Sequence, residues 1–249
     1  MEENREFLKS KLWDAVFYSG KTDQKRNIPH PPVQKEYPTD VNLIDLVAPE
    51  KFTVGKIPVI EAIRRRKSRR KFSEELLNLE ELSFLLWVAQ GVHEVQRDGS
   101  VTKRTVPSAG SRHPFETYLV VNRVEGLDSG FYRYLALEHK LYQIQSEGNL
   151  AEQVGIACHN QKFIGQSAVT FVWAVIPYRS EWRYDKLAHK MIAIDAGHLC
   201  QNLYLACESI KAGICAIGAY DQEKMDKLLG FDGKDEFIIY LAAVGKIGK

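Results

Sequence analysis

The run Ile192-Ala193-Ile194-Asp195-Ala196-Gly197-His198-Leu199-Cys200-Gln201-Asn202-Leu203-Tyr204-Leu205-Ala206-Cys207-Glu208-Ser209-Ile210-Lys211-Ala212 decides how the rest of the chain is read, together with its continuation Gly213-Ile214-Cys215-Ala216-Ile217-Gly218-Ala219-Tyr220-Asp221. At helical spacing Ile192, Ala196, Leu199, Leu203, Ala206 and Ile210 form one stripe, and Ile194, Cys200, Leu205 and Cys207 fill much of the remaining circumference. Little of such a helix can face water. Asp195, His198, Gln201, Asn202 and Glu208 interrupt it too often for a membrane span, so the burial is expected inside protein. Gly213 is expected to end the helix in a left-handed turn. The apolar run after it leads to a Gly-Ala step ahead of a new helix, where bare backbone N–H groups can meet a ligand.

Outward from this helix, 249 residues are enough for one large domain or two small ones. An apolar share of 45%, a charged share of 27% and a formal net charge of +2 describe an ordinary globular chain, with no nucleic-acid or membrane partner implied by overall charge. Cys158, Cys200, Cys207 and Cys215 lack Cys-x-x-Cys spacing and read as structural thiols in a reducing compartment. The acidic start, Met1 to Glu6, is followed by no apolar signal core, so a cytoplasmic location is expected.

Phe7, Leu8, Leu12, Trp13, Val16 and Phe17 predict a first helix closed by Gly20, and the Pro-rich stretch 21–58 predicts an extended arm over a surface or partner. Residues 1–56 are thus a helix and arm, and 57–249 a single domain. Within it, Pro58 opens a short helix, and Asn78 with Glu81 caps another that runs to Gly91. Gly99 to Pro114 reads as a loop. Strands are predicted over Thr117–Val124, Phe131–Tyr134, Lys140–Ile144, Ala168–Ile176 and Phe237–Val244, with helices over Leu150–Cys158 and from Asp221 to Gly230. Trp182 to Lys190 is a polar approach to the central helix. Without a regular βαβ rhythm, this order points to an α+β layer fold.

Arg64-Arg65-Arg66-Lys67-Ser68-Arg69-Arg70-Lys71 places seven cations around one serine. It reads either as a solvated basic helix end or nucleic-acid patch, or as an anion clamp with Arg66 and Arg70 on one helical face. Neither a Rossmann nor a Walker glycine loop occurs, nor a Gly-x-Ser-x-Gly elbow. His93, His113, His159, His189 and His198 show no metal-ligand spacing, so no metal site is expected. His113 reads equally as a substrate contact or as part of a turn.

In order and spacing, Arg66-x-Ser68-x-Arg70, Pro107-Ser108-Ala109-Gly110 with Pro114-Phe115-Glu116-Thr117-Tyr118, and Ala216-Ile217-Gly218-Ala219 resemble the FMN-dependent nitroreductase family across Ile57 to Gly245. Asp195-Ala196-Gly197-His198, Gln201-Asn202-Leu203 and Tyr132-Arg133-Tyr134 make the chain most similar to the SagB-type dehydrogenase branch. The resemblance implies a nitroreductase-like fold, with a central mixed or antiparallel sheet flanked by helices, in an intertwined homodimer whose long helix lies at the interface. It implies FMN held by Arg66, Lys67 and Ser68 at the phosphate and ribityl chain, Arg70 at the N1/O2 edge, and Gly218 and Ala219, after Ile217, at the N5/O4 edge. Pro107, Ser108, Ala109 and Gly110 would approach from the partner subunit, and Lys246 would help with the phosphate. Hydride would pass through flavin N5, with Arg70 and Gly218 acting on the flavin, NADH or NADPH as reductant and a nitroaromatic or quinone as acceptor. Azoline-to-azole oxidation of a modified peptide is the alternative, and a basic nucleic-acid-binding module is the reading from another class. The azoline branch resembled here carries a Lys-Tyr pair where this chain has Arg183-Tyr184. Arginine is a poor base, which leaves Tyr184 either as a proton relay or as a packing residue against the arm.

Overall fold

The structure is a computed structural model that describes residues 5–10, 13, 21–146 and 149–248. The helix expected over Phe7 to Phe17 falls largely outside them. Strand β1 (Leu43–Asp45) is followed by helices α1 (Val59–Arg65) and α2 (Leu79–Gln90), then β2 (Val92–Gln96), β3 (Val101–Arg104), β4 (Phe115–Val121), β5 (Gly130–Leu135) and β6 (Lys140–Gln145). Helix α3 (Leu150–Ala157), β7 (Val169–Val175), α4 (Tyr178–Tyr184), α5 (Ala188–Ser209), β8 (Ala212–Ile217), α6 (Gln222–Leu229) and β9 (Phe237–Lys246) complete the order. A seven-stranded sheet runs β1-β6-β5-β4-β7-β9-β8, antiparallel at every pairing, and β2 with β3 forms a separate hairpin.

Both faces of the central strands are covered, and their sequence shows why. Along β7, Phe171, Trp173 and Val175 pack on one side with α2 and α5, while Val172 and Ala174 pack on the other with α3 and α6. Alternate residues of a strand point to opposite faces, so a strand apolar at every position needs a layer on each. The ends of α2 and α6 form as their sequences dictate. Asn78 accepts from the Glu81 amide while the Glu81 carboxylate accepts from the Asn78 amide, and Asp221 caps α6, which ends at Gly230 with a left-handed φ of 77°.

Several expectations are corrected. Gly99 to Pro114 is not all loop, because Val101–Arg104 pairs with β2. The polar approach to the central helix is itself helical as α4, and the central helix starts at Ala188 and ends at Ser209. Its left-handed exit residue is Lys211, with φ 55°. Gly213 lies inside β8, where a Cβ would stand 2.8 Å from Ile247 Cγ2 and 3.0 Å from Arg69 Cβ, so close approach explains this glycine. Nor is the helix sealed from water all round in one chain: Ala193, Ile194, Gly197 and Gln201 are exposed, Ile194 at 44%. No helix among the described residues is long and apolar enough to cross a membrane.

Besides the pairing of β1 with β6, the arm is bound to this sheet through the buried carboxylate of Glu116. Glu116 accepts from the Lys35 amide at 2.7 Å, from Arg133 Nη2 at 3.0 Å and from Arg179 Nη2 at 2.5 Å. Arg133 also donates to the carbonyls of Glu36 and Lys35 at 2.8 and 2.5 Å. Burial pushes the Glu116 pKa up, but Arg179 and Arg133 overcome this and hold the carboxyl below its usual range. Glu116→Ala should therefore destabilise the protein by about 3–5 kcal/mol, because it strands two buried guanidiniums. Denaturant unfolding checks this, and a loss below about 1 kcal/mol would show that the network carries little stability.

Candidate functional site

The basic segment leaves α1 before it reaches its most informative residues. Helix α1 ends at Arg65, and Ser68 forms a parallel bridge with Ile214 while the Arg69 amide donates to the Ile214 carbonyl at 2.8 Å. Arg66, Ser68 and Arg70 therefore do not share a helical face. Their spacing is the two-residue alternation of extended backbone, which sends them one way and Arg69 the other. Arg69 turns inward to an ion pair with the buried Glu208, Nη2 to Oε2 at 3.1 Å.

Tyr204 of α5 organises the outward side. Its hydroxyl lies 2.8 Å from Ser68 Oγ and accepts from the Ala216 amide at 2.9 Å, and the Arg66 guanidinium stands 5.4 Å from its ring centroid. The Arg70 guanidinium stands 5.9 Å from the Phe163 ring. Lys67 is exposed. One residue beyond Ala216, the chain leaves β8 at Ile217, whose side chain is buried, and then exposes Gly218 and Ala219. The Ala219 carbonyl accepts from Gln161, and a Cβ on Gly218 would meet nothing within 4 Å, so that backbone is open to an approaching group. Among the described residues no carboxylate pairs with Arg66, Lys67 or Arg70.

A second assembly forms nearer the start of α5. Ser108 Oγ donates to Asp195 Oδ2 at 2.6 Å, the Ala109 amide donates to the same oxygen at 3.2 Å, and the His113 amide donates to Ser108 Oγ at 2.9 Å. Burial lifts the Asp195 pKa, against the pull of the Ser108 and Ala109 hydrogen bonds. Pro107 is exposed, and Gly110 has φ 58°. A Cβ on Gly110 would stand 2.6 Å from the Tyr184 hydroxyl and 2.8 Å from Arg183 Nε, so Tyr184 belongs with this loop. The Tyr184 ring also meets Trp13 edge-on at 6.1 Å. From Asp195 to Tyr204 the helix rises about 14 Å, so one chain does not bring 107–110 against 66–70.

Two candidates sit elsewhere than expected. Lys246 is buried at 8% exposure, its ammonium donating to Glu81 Oε1 at 2.6 Å and to the Ile210 carbonyl at 2.8 Å. A buried ammonium needs such partners, so it is not a free cation for a phosphate. The His113 ring is buried, and its pKa is pushed down to about 2 by burial and by Arg104, against the Thr102 carbonyl. It is a neutral interior group rather than a substrate contact. Tyr204, Phe163 and Glu208 escaped the sequence reading, although a tyrosine and an acid on a buried helix face already demand polar partners. A 510 Å³ cleft lined by Gly155, Ile156, Asn160 and Lys162 borders the loop that carries Phe163, and includes none of the basic segment.

With this geometry in view, three comparisons give the same answer. The profile described as the Nitroreductase family matches residues 63–246. A Methanocaldococcus jannaschii protein named for that activity, MJ1384, is 28% identical over 193 residues, covering 78% of this chain and 93% of its own. The crystal structure of a Ralstonia eutropha JMP134 protein assigned as a nitroreductase superposes with TM-score 0.68 at 25% identity, over 89% of this chain and 99% of that one. The trifolitoxin-processing protein TfxB of Rhizobium leguminosarum bv. trifolii is 29% identical over 114 residues, which is 44% of this chain and 31% of TfxB.

Two measurements check these placements. Tyr204→Phe should cost about 1–3 kcal/mol, since it leaves the Ala216 amide and Ser68 without their shared partner, and hydrogen exchange at Ala216 should quicken; an unchanged rate would remove the bridge. For His113, the unfolded imidazole takes a proton below about pH 6.5 and the folded one does not, so stability is lost as pH falls below that value, by up to about 1.4 kcal/mol per pH unit. His113→Asn suits the φ of 44° and should flatten that slope between about pH 6.5 and 5; a slope equal to wild type would contradict it.

Proposed function

Because the chain belongs to the nitroreductase family of oxidoreductases, we propose that it is an FMN-dependent enzyme that works as a homodimer, taking hydride from NADH or NADPH and passing it to a small acceptor of nitroaromatic or quinone type. The observation that carries this reading is the gathering, by one tyrosine hydroxyl, of the segment bearing Arg66, Lys67 and Arg70, which pair with no carboxylate among the described residues, and of the strand that ends in the open backbone at Gly218 and Ala219. Those residues fit a planar, anionic cofactor. Arg66, Lys67 and Ser68 offer guanidinium, ammonium and hydroxyl to a phosphate and polyol chain. Arg70 offers a charge to the electron-rich edge of the ring, and Ile217, Gly218 and Ala219 a wall of backbone to the opposite edge. FMN bound there would supply the two-electron carrier; the chain orients it and stabilises its negative charge. Lys246 is left out of the set, since Glu81 holds it.

The homodimer reading rests on exposed apolar surface and on an incomplete site. Ile194 on α5 is 44% exposed, and Val59, Ile60 and Ile63 on α1, which packs against α5, are 67%, 53% and 54% exposed. Large apolar side chains left exposed on these two helices call for a partner. A second copy would bring its own Pro107, Ser108, Ala109 and Gly110 to the basic segment that its own chain leaves about 14 Å away along the helix. The four cysteines are free and buried, which suits the cytoplasm.

The match to a toxin-processing protein favours a second reading, azoline-to-azole oxidation of a modified peptide. It needs a base, and Arg183 cannot serve as one, which leaves Tyr184 alone beside Gly110. The nucleic-acid reading loses two of its cations, because Arg65 pairs with Glu61 and Arg69 with Glu208.

Purified protein should be yellow and hold one FMN per chain. Arg66→Ala should weaken FMN binding about 10- to 100-fold, or about 1.4–2.8 kcal/mol, in a fluorescence titration. Arg70→Ala should make the bound flavin harder to reduce by on the order of a few kcal/mol, read as a more negative potential in an anaerobic dye titration. Ile194→Glu should yield monomers in sedimentation and release the flavin with them. Protein that stays colourless with added FMN, or monomers that retain it, would overturn the cofactor or the dimer respectively.

A further inference from the structure

Behind the loop that carries Ser108 lie three buried guanidiniums, of which two pair with Glu116. Arg112, Arg133 and Arg179 are 5%, 1% and 3% exposed, and Glu116 spends its two oxygens on Arg133 and Arg179. Among the described residues Arg112 meets no carboxylate. Its Nη2 donates to the Ser100 carbonyl at 2.7 Å, and its guanidinium stacks 5.2 Å from the Trp182 ring centroid. Its Nε is buried without an acceptor, as are Nε and Nη1 of Arg179. Burial first, and then the guanidiniums of Arg183, Arg97 and Arg179, depress its pKa against the opposing Tyr184.

Water could satisfy the orphaned N–H groups, but it would leave the excess positive charge in place. An oxyanion answers both needs, and the planar fork of a guanidinium matches its oxygens. The cluster grades from buried to exposed. Arg112 and Arg179 form a buried base, Arg183 is half-buried, and Arg97 is exposed at the tip of the β2–β3 hairpin, which the Arg112 bond to Ser100 holds in place. Arg183 and Tyr184 both press against Gly110, so the exposed side of the cluster lies beside the loop assigned above to completing the site.

We propose that Arg112 and Arg183, with Arg179 beneath them and Arg97 at the rim, form a subsite for an anionic oxygen group, a carboxylate or phosphate, on the compound that enters beside Tyr184. The substrate of the enzyme is then an organic anion. This assignment deepens the flavin-enzyme reading and rests on it for turnover, while the subsite itself is read by binding.

The test is calorimetric titration of the FMN-saturated, full-length protein at constant ionic strength. Benzoate should bind once per chain, and benzamide, of the same shape without the charge, at least about ten times more weakly, a difference of about 1.4 kcal/mol. Arg183→Gln should weaken benzoate by a similar factor and leave benzamide unmoved, while the exposed control Lys224→Gln changes neither. Inorganic phosphate that displaces benzoate would show that the subsite takes either anion, and phosphate that does not would narrow it to carboxylates. Arg112→Gln removes a buried group and is a harsher variant; Arg183, half-buried and without a hydrogen bond among the described residues, keeps the test decisive. Equal binding of benzoate and benzamide, or wild-type benzoate affinity in Arg183→Gln, would overturn the proposal. If the protein takes up no FMN, the flavin reading fails, and the same titrations on flavin-free protein still decide the subsite.

Discussion

A helix sunk into a protein core must find partners for every polar side chain on its buried faces. Helix α5 carries three such groups, Asp195, Tyr204 and Glu208, each no more than 8% exposed. Each is answered by a segment that enters from elsewhere. Asp195 takes the Ser108 hydroxyl and the Ala109 amide, Tyr204 takes Ser68 and the Ala216 amide, and Glu208 takes Arg69. Leaving any of them unpaired would cost on the order of 1–3 kcal/mol or more. The helix therefore fixes the positions of the loops that carry the candidate chemistry, and the polar residues that seem to spoil its apolar pattern hold the site together.

This explains what could be read from the sequence and what could not. Strands β4 and β7 were legible because burial on both faces writes a continuous apolar run, and α2 was legible because its capping box is a local pattern. The hairpin β2–β3 was not. Its residues are largely exposed on Glu94 to Gly99, with no apolar alternation to mark them, and Val101–Arg104 lies in a stretch of mixed polarity. The basic segment misled for a different reason. Arg66 and Arg70 are four apart, a spacing that fits both a turn of helix and two repeats of a strand, and only the pairing of Ser68 with Ile214, far away in sequence, decides between them. Lys246 shows the same limit, since the carboxylate that claims it is 165 residues away.

The arm and the sheet are joined by a related economy of charge. Glu116 ties Lys35 and, through Arg133, the carbonyls of Lys35 and Glu36 to the centre of the sheet, so the extended stretch 33–37 is held by hydrogen bonds instead of apolar burial. Buried ion networks of this type contribute little net stability over an apolar equivalent, because desolvation offsets much of the attraction. Their value lies in register: an amide and two carbonyls can meet one carboxylate and one guanidinium in only a few ways. With Glu116 engaged by Arg133 and Arg179, Arg112 has no counter-charge among the described residues, so positive charge gathers behind the Ser108 loop.

That surplus bears on the chemistry available beside Tyr184. A lysine at position 183 could lose a proton and act as a base, whereas a guanidinium keeps its charge at any working pH. With Arg112 and Arg179 behind it, Arg183 raises the local potential further, which favours the ionised form of any acidic group brought there. A peptide substrate that must give up a proton finds no base at position 183, where a lysine would offer one, and meets the Tyr184 phenol beside it. A small anionic acceptor finds its charge already matched. The electrostatics of this corner therefore discriminate between the two oxidoreductase readings more sharply than the fold, which both of them share.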